Sequence, residues 1–149
     1  MNLSRSFTLR ELTRTSHRGV AELNYETART DDELLGVLQV LCQTLLQPIR
    51  DHYGRAVIIH SGYRCLELNS AIGGSRFSQH MKGEAADFHV VGFDLREVFD
   101  WIRSTSGLSF GQLILEGNVA GVPGWILLSL GEPYRPKHRS GMVLVMDAG

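Results

Sequence analysis

Cysteine is scarce in this sequence: Cys42 and Cys65 are the two in 149 residues, too few for a disulfide framework to hold the fold. No apolar run approaches the ~20 residues needed to cross a bilayer, so a membrane-spanning helix and a membrane partner are not expected. The opening stretch MNLSRSFTLRELTRTSHRG has no apolar h-region, which predicts synthesis in the cytoplasm without a secretory leader. An excess of either charge is also missing. The 15 Lys and Arg against 16 Asp and Glu leave a formal charge of −1, which removes the usual reason to expect nucleic acid. Internal repeats, low-complexity tracts and Pro/Gly/Ser-rich linkers are absent too. What is present suits one ordinary soluble domain, with 43% hydrophobic and 21% charged residues.

The chain divides into residues 1–29, expected as a polar N-terminal arm with one short helix near Leu9–Thr13, and a domain over residues 30–149. Thr30-Asp31-Asp32-Glu33 has the form of a capping box. Leu34, Leu35, Val37, Leu38, Leu41, Leu45, Leu46 and Ile49 then follow helical spacing, with Pro48 as a kink and Gly54 as the stop. Ala56–His60 and Ala85–Val91 read as strands, and Leu66–Ile72 as a short helix. Asp94, with Glu97 three residues on, starts a helix striped by Leu95, Val98, Phe99 and Ile102. Gln112–Glu116, Trp125–Leu130 and Met142–Met146 are three further strand candidates. Helices first and strands later predict an α+β fold with a mainly antiparallel sheet.

The segment richest in chemistry is Ser78-Gln79-His80-Met81-Lys82-Gly83-Glu84-Ala85-Ala86-Asp87. His80 lies in a polar loop and Asp87 in the strand that follows, with glycine and small residues between them that let the two side chains meet. An imidazole nitrogen and a carboxylate oxygen are suitable first ligands for zinc. Such a pair on its own more often orients a loop by hydrogen bonding.

With Ser61-Gly62-Tyr63-Arg64, Asn69, Ile72-Gly73-Gly74, the Ser-x-His-x-x-Gly-x-Ala-x-Asp run at 78–87, Gln112-Leu113-Ile114 and Gly124-Trp125, the sequence resembles the M15 zinc peptidases over residues 30–135. This is the D-Ala-D-Ala carboxypeptidase-like group that includes many phage endolysins. The resemblance implies a hedgehog/DD-peptidase-type domain with a cleft lined by strands, and peptidoglycan peptides as substrate. It implies zinc held by His80, Asp87 and a second histidine in a late strand, with water in the open position. It also implies Arg64 as the cation that steadies a substrate carbonyl or carboxylate, and Ser78 as a substrate contact or loop support. Reaching that substrate without a leader fits release to the wall, association with a phage particle, or a cytoplasmic role.

The sequence departs from the family pattern in the late strand. The family reads Trp-x-His there, whereas Leu127 stands two residues after Trp125 in this chain. Period-2 alternation puts Trp125, Leu127 and Ser129 on one face and Ile126, Leu128 and Leu130 on the other. The uniformly apolar set should face the core, so Leu127 should face the cleft. Many relatives also carry an acidic base three residues before that histidine, where this chain has Gly124. The substitutes weighed are His89, on the same strand face as Asp87, and His138, in the polar Tyr134–Ser140 segment, as ligands. Glu116 is weighed as a base, against a solvated strand end. His60 reads as a hydrogen-bonded rim residue, His17 and His52 as surface, and Cys42 as core. Cys65 is weighed as a thiol titrating low beside Arg64, and Trp125 as a packing residue that borders the cleft.

The expected function is that of a peptidoglycan-directed, M15-type zinc metallopeptidase-like protein with an impaired metal site. The alternatives are an inactive homologue that binds cell wall or serves a phage particle, and a scaffold reused for an unrelated partner.

Overall fold

The computed structural model describes residues 1–117, 124–131 and 142–146. It is α+β, with one five-stranded sheet and helices against one of its faces. Two short helices come first, α1 (Leu9–Thr13) and α2 (Arg18–Arg29). Thr8 and Glu11 form the capping box of α1. Residues 1–29 are not a peripheral arm: Leu3, Phe7, Leu9, Leu12 and Ala28 are fully buried in the same core as the rest of the chain. The sequence hides this because α2 carries its apolar positions thinly and turns the polar Asn24 inward.

A long rod follows, made of α3 (Asp32–Leu41), a π-helical turn (Cys42–Leu46) and α4 (Gln47–Tyr53). Its cap is Asp31, whose side chain accepts from the Leu34 amide, one residue later than the expected Thr30. Thr30 instead closes α2. Pro48 has no N–H to offer the Thr44 carbonyl, and the ladder loosens into the wider π turn just before it. Gly54 ends the rod in the left-handed conformation at φ +63°.

The strands are β1 (Val57–Ser61), β2 (Ala85–Val90), β3 (Gln112–Glu116), β4 (Trp125–Ser129) and β5 (Met142–Met146), within a residue or two of the expected positions. Their order is β1-β2-β4-β3-β5, with β5 parallel to β3 and every other pair antiparallel. Between β1 and β2 lie α5 (Leu66–Ala71) and a 3₁₀ turn (Gln79–Lys82). Helix α6 (Leu95–Ser104), capped by Asp94, follows β2.

One face of the sheet is the core. Ala86, Phe88 and Val90 of β2, Leu113 and Leu115 of β3, and Ile126 and Leu128 of β4 pack there beneath Val98, Phe99 and Ile102 of α6. At ~25 cal/mol per Å² of apolar surface, each of these side chains larger than Ala86 contributes roughly 1.5–3 kcal/mol. The opposite face carries Ala85 and Asp87, Gln112, Ile114 and Glu116, and Trp125 and Leu127. Period-2 alternation thus divides the sheet into a structural side and a side open to ligands. No helix among the described residues is long and apolar enough to cross a membrane.

Candidate functional site

The open face of the sheet floors a cleft of about 490 Å³, walled by the loop at 75–80 and by Arg64. Its lining includes Arg64, Ser78, His80, Asp87, Glu116 and Leu127, with Phe77 at the rim and Gln112 opposite.

His80 is 4% exposed and sits in the 3₁₀ turn, whose cap is Ser78. Gly83 ends that turn at φ +72°, with its Cα pressed on Leu34 and Leu38; a Cβ there would lie 2.8 Å from Leu34 Cδ1. This tight turn brings the chain from His80 back into β2. His80 Nδ1 lies 2.8 Å from the Gly62 carbonyl oxygen. A carbonyl only accepts, so the neutral ring carries its proton on Nδ1 and leaves the Nε2 lone pair bare. Nε2 stands 3.4 Å from Asp87 Oδ1, which is buried and accepts no hydrogen bond among the described residues.

Arg64 Nη2 donates to Ser78 Oγ at 3.1 Å, and the same oxygen accepts from the His80 amide at 3.2 Å. Ser78 therefore ties the guanidinium to the turn that carries His80. The Arg64 amide also donates to the His80 carbonyl at 3.1 Å. Burial pushes the Arg64 pKa down, and the Asp87 carboxylate partly offsets this. The group stays cationic in either case.

The loop holding Arg64 is fixed from behind by a residue that the sequence gave no reason to select. Asn24 of α2, fully buried, donates from Nδ2 to the Tyr63 carbonyl at 3.0 Å and to the Thr13 carbonyl at 2.7 Å. Its Oδ1 accepts from the Cys65 amide at 2.7 Å. One amide thus brackets Arg64 on both sides. Gly62 lies so close to α1 that a Cβ would sit 2.3 Å from the Leu12 carbonyl oxygen. The N-terminal helices are the back wall of the site.

On the far side of the cleft, Trp125 Nε1 donates to Glu116 Oε2 at 2.9 Å, and the two residues are cross-strand partners. Glu116 lines the cleft and is not a free strand end. Leu127 pairs directly with Asp87 on one side and with Ile114 on the other. The row running from Asp87 across β4 and β3 is therefore carboxylate, leucine, isoleucine.

His89 shares the face of Asp87 but meets His60, not His80. Its Nδ1 is 2.6 Å from His60 Nε2, with ring centroids 4.8 Å apart. His60 follows Ile58, the ladder partner of His89, by two residues and so shares its strand face, at the irregularity between Ile59 and Ser61. His52 is exposed, as expected, and stacks on Trp101 with ring centroids 3.9 Å apart. Cys65 does not titrate low: it is buried, and burial raises its thiol pKa despite the adjacent Arg64. His138 and the Tyr134–Ser140 segment lie outside the described residues.

The donor set accounts for part of a zinc site. Two ligands at about 2.0–2.2 Å on a tetrahedral ion stand roughly 3.3 Å apart, close to the separation of His80 Nε2 and Asp87 Oδ1. A catalytic zinc takes three protein ligands. Among the described residues no three of His, Cys, Asp and Glu stand together in a way that could hold a metal. The described residues therefore do not fit the complete ligand set.

The peptidase M15 family matches residues 5–119, and the chain belongs to that family. It is peptidase-like on that ground, and the family is generally zinc-dependent. The match begins at residue 5, so it takes in α1 and α2, and it ends before β4, the strand that carries Leu127. No curated protein sequence matches the chain.

Proposed function

We infer that this chain is a peptidoglycan-directed M15 protein whose cleft binds wall peptides while its zinc site is impaired. The carrying observation is the pairing of Asp87 with Leu127, which puts an apolar side chain where the family's late-strand histidine is expected. Leucine offers no donor atom, and its hydrocarbon wall gives nothing to stabilise charge developing on a reacting carbonyl. The binding half of the cleft supports the rest of the reading. Arg64 and Ser78 present a cation and a hydroxyl, joined to each other and to the His80 turn, where a peptide carbonyl or carboxylate would be oriented. The Glu116–Trp125 pair borders the other end.

Elemental analysis of protein purified without chelator, beside the His80→Ala variant, tests the metal part. The expected zinc content is well below one per chain in both. Sedimentation with purified sacculi tests the binding part: the protein should co-sediment with or without chelator, less so as Arg64→Ala, and release no soluble peptide. One zinc per chain, lost in His80→Ala, with chelator-sensitive product release, would replace this reading by an active peptidase. Failure to co-sediment, with no product, would leave a reused scaffold.

A further inference from the structure

Behind Arg64, on the side away from the cleft floor, lies a second cavity of about 190 Å³ between the N-terminal segment and the end of β1. Its lining brings together Arg14, His17, His60 and Arg64, with Leu68 and Ile72 as apolar wall and no Asp or Glu among the described residues. The four basic groups come from distant parts of the sequence: two precede or cap α2, one ends β1 and one follows the Ser61-Gly62 turn. They share a small space whose own lining supplies no carboxylate, the nearest acting charge being Asp87 in the cleft. Among the described residues Arg14 makes no ion pair, and the buried Arg64 Nε has no hydrogen-bond partner. The two guanidiniums of Arg14 and Arg64, of like charge on one small cavity, raise the energy of the pocket until an anion enters it. Arg14 acts on His60 accordingly, adding to the effects of burial and His89 that hold its pKa down, while Asp87 from across the β1–β2 ladder opposes them.

Arg64 is common to both cavities. We propose that the second cavity is a subsite for a carboxylate carried on a short apolar stem, belonging to the peptide whose backbone lies in the cleft. The carboxylate meets Arg14, His60 and Arg64, and the stem lies against Leu68 and Ile72. The apolar wall is what distinguishes this ligand from bare phosphate, which would gain nothing from it. The assignment to a wall peptide rests on the function inferred above; the preference for a carboxylate does not.

The test is titration of ¹⁵N-labelled protein with sodium butyrate and, separately, with inorganic phosphate at matched ionic strength. Butyrate should saturate with shifts at the amides of residues 14–17 and 60–64, and bind more tightly than phosphate. Arg14→Gln should weaken it roughly tenfold, as expected for loss of a charge-assisted contact. Arg14 is exposed, so this variant keeps the fold, and His60→Gln gives an independent second variant. Arg96→Gln, which removes an exposed charge on α6 away from this cavity, should leave butyrate binding unchanged. Absence of saturable shifts, equal affinity in Arg14→Gln, or tighter phosphate than butyrate would each overturn the subsite. If butyrate binds as described and sacculi do not, the subsite stands and the wall reading falls. If sacculi bind and butyrate does not, the subsite falls alone.

Discussion

Asp87 on β2 and Leu127 on β4 are direct cross-strand partners on the open face of the sheet, so a carboxylate whose buried oxygen has no hydrogen-bond partner among the described residues faces a side chain with no donor. A histidine at 127 would come from the strand next to Asp87 and so reach the same point as His80 Nε2. Structural zinc sites with four ligands are worth about 10–16 kcal/mol, or roughly 3 kcal/mol and a hundredfold in affinity per ligand. Leu127→His should therefore bind zinc about a hundredfold more tightly than the native chain, by competition with a chromogenic chelator. No gain would mean that residue 127 does not face the metal-binding point.

That relationship was legible in the sequence because strand alternation is a strong code. Ile126, Leu128 and Leu130 are uniformly apolar and had to face the core, which left Leu127 facing the cleft. The His80–Asp87 convergence was legible for a similar reason, since a short glycine-containing turn joins a loop to a strand. The role of residues 1–29 was not. Its buried side chains are spread over a short strap and two helices, and its key member is Asn24, a polar residue that no hydrophobic pattern can place in a core. The His60–His89 contact was equally hidden, because it depends on the pairing and register of β1 with β2, which periodicity within one strand does not encode.

Asn24 supplies the next prediction. It fills three hydrogen bonds to main-chain groups around Thr13, Tyr63 and Cys65. Asn24→Ala strands buried carbonyls and an amide, each costing about 1–3 kcal/mol when unsatisfied. Relaxation recovers part of that, so a loss of roughly 2–4 kcal/mol is expected in urea unfolding, with the slope unchanged. Sacculus binding by the folded variant should also fall, because Arg64 loses its bracket. A variant as stable as the native chain would show that the loop is held from elsewhere.

The two thiols should be inert in the folded protein. Burial pushes Cys42 up to about 12, and burial raises Cys65 as well. At pH 8 a thiol titrating near 12 is thiolate in about one molecule in ten thousand, and thiolate is the reacting form. A disulfide-exchange reagent at pH 8 should therefore find no fast thiol in native protein and both in denaturant. Rapid reaction of Cys65 in the native state would mean that its low-titrating environment beside Arg64 outweighs its burial.

His60 provides the pH dependence. Burial, then the neighbouring His89, hold its pKa below the ordinary value of 6.5 in the folded state. The unfolded chain thus takes up this proton more readily than the folded one. The stability tied to neutral His60 is present above about pH 6.5 and is lost as pH falls from there through the lowered folded value. His60→Gln should flatten that part of the stability profile. His89→Gln should raise the His60 pKa only part of the way, since burial is the larger cause and remains. Ring NMR titration of the native chain and of His89→Gln checks both statements. A His60 that titrates at or above 6.5 in the folded native protein would mean that neither its burial nor the contact between the two rings holds it in the neutral form.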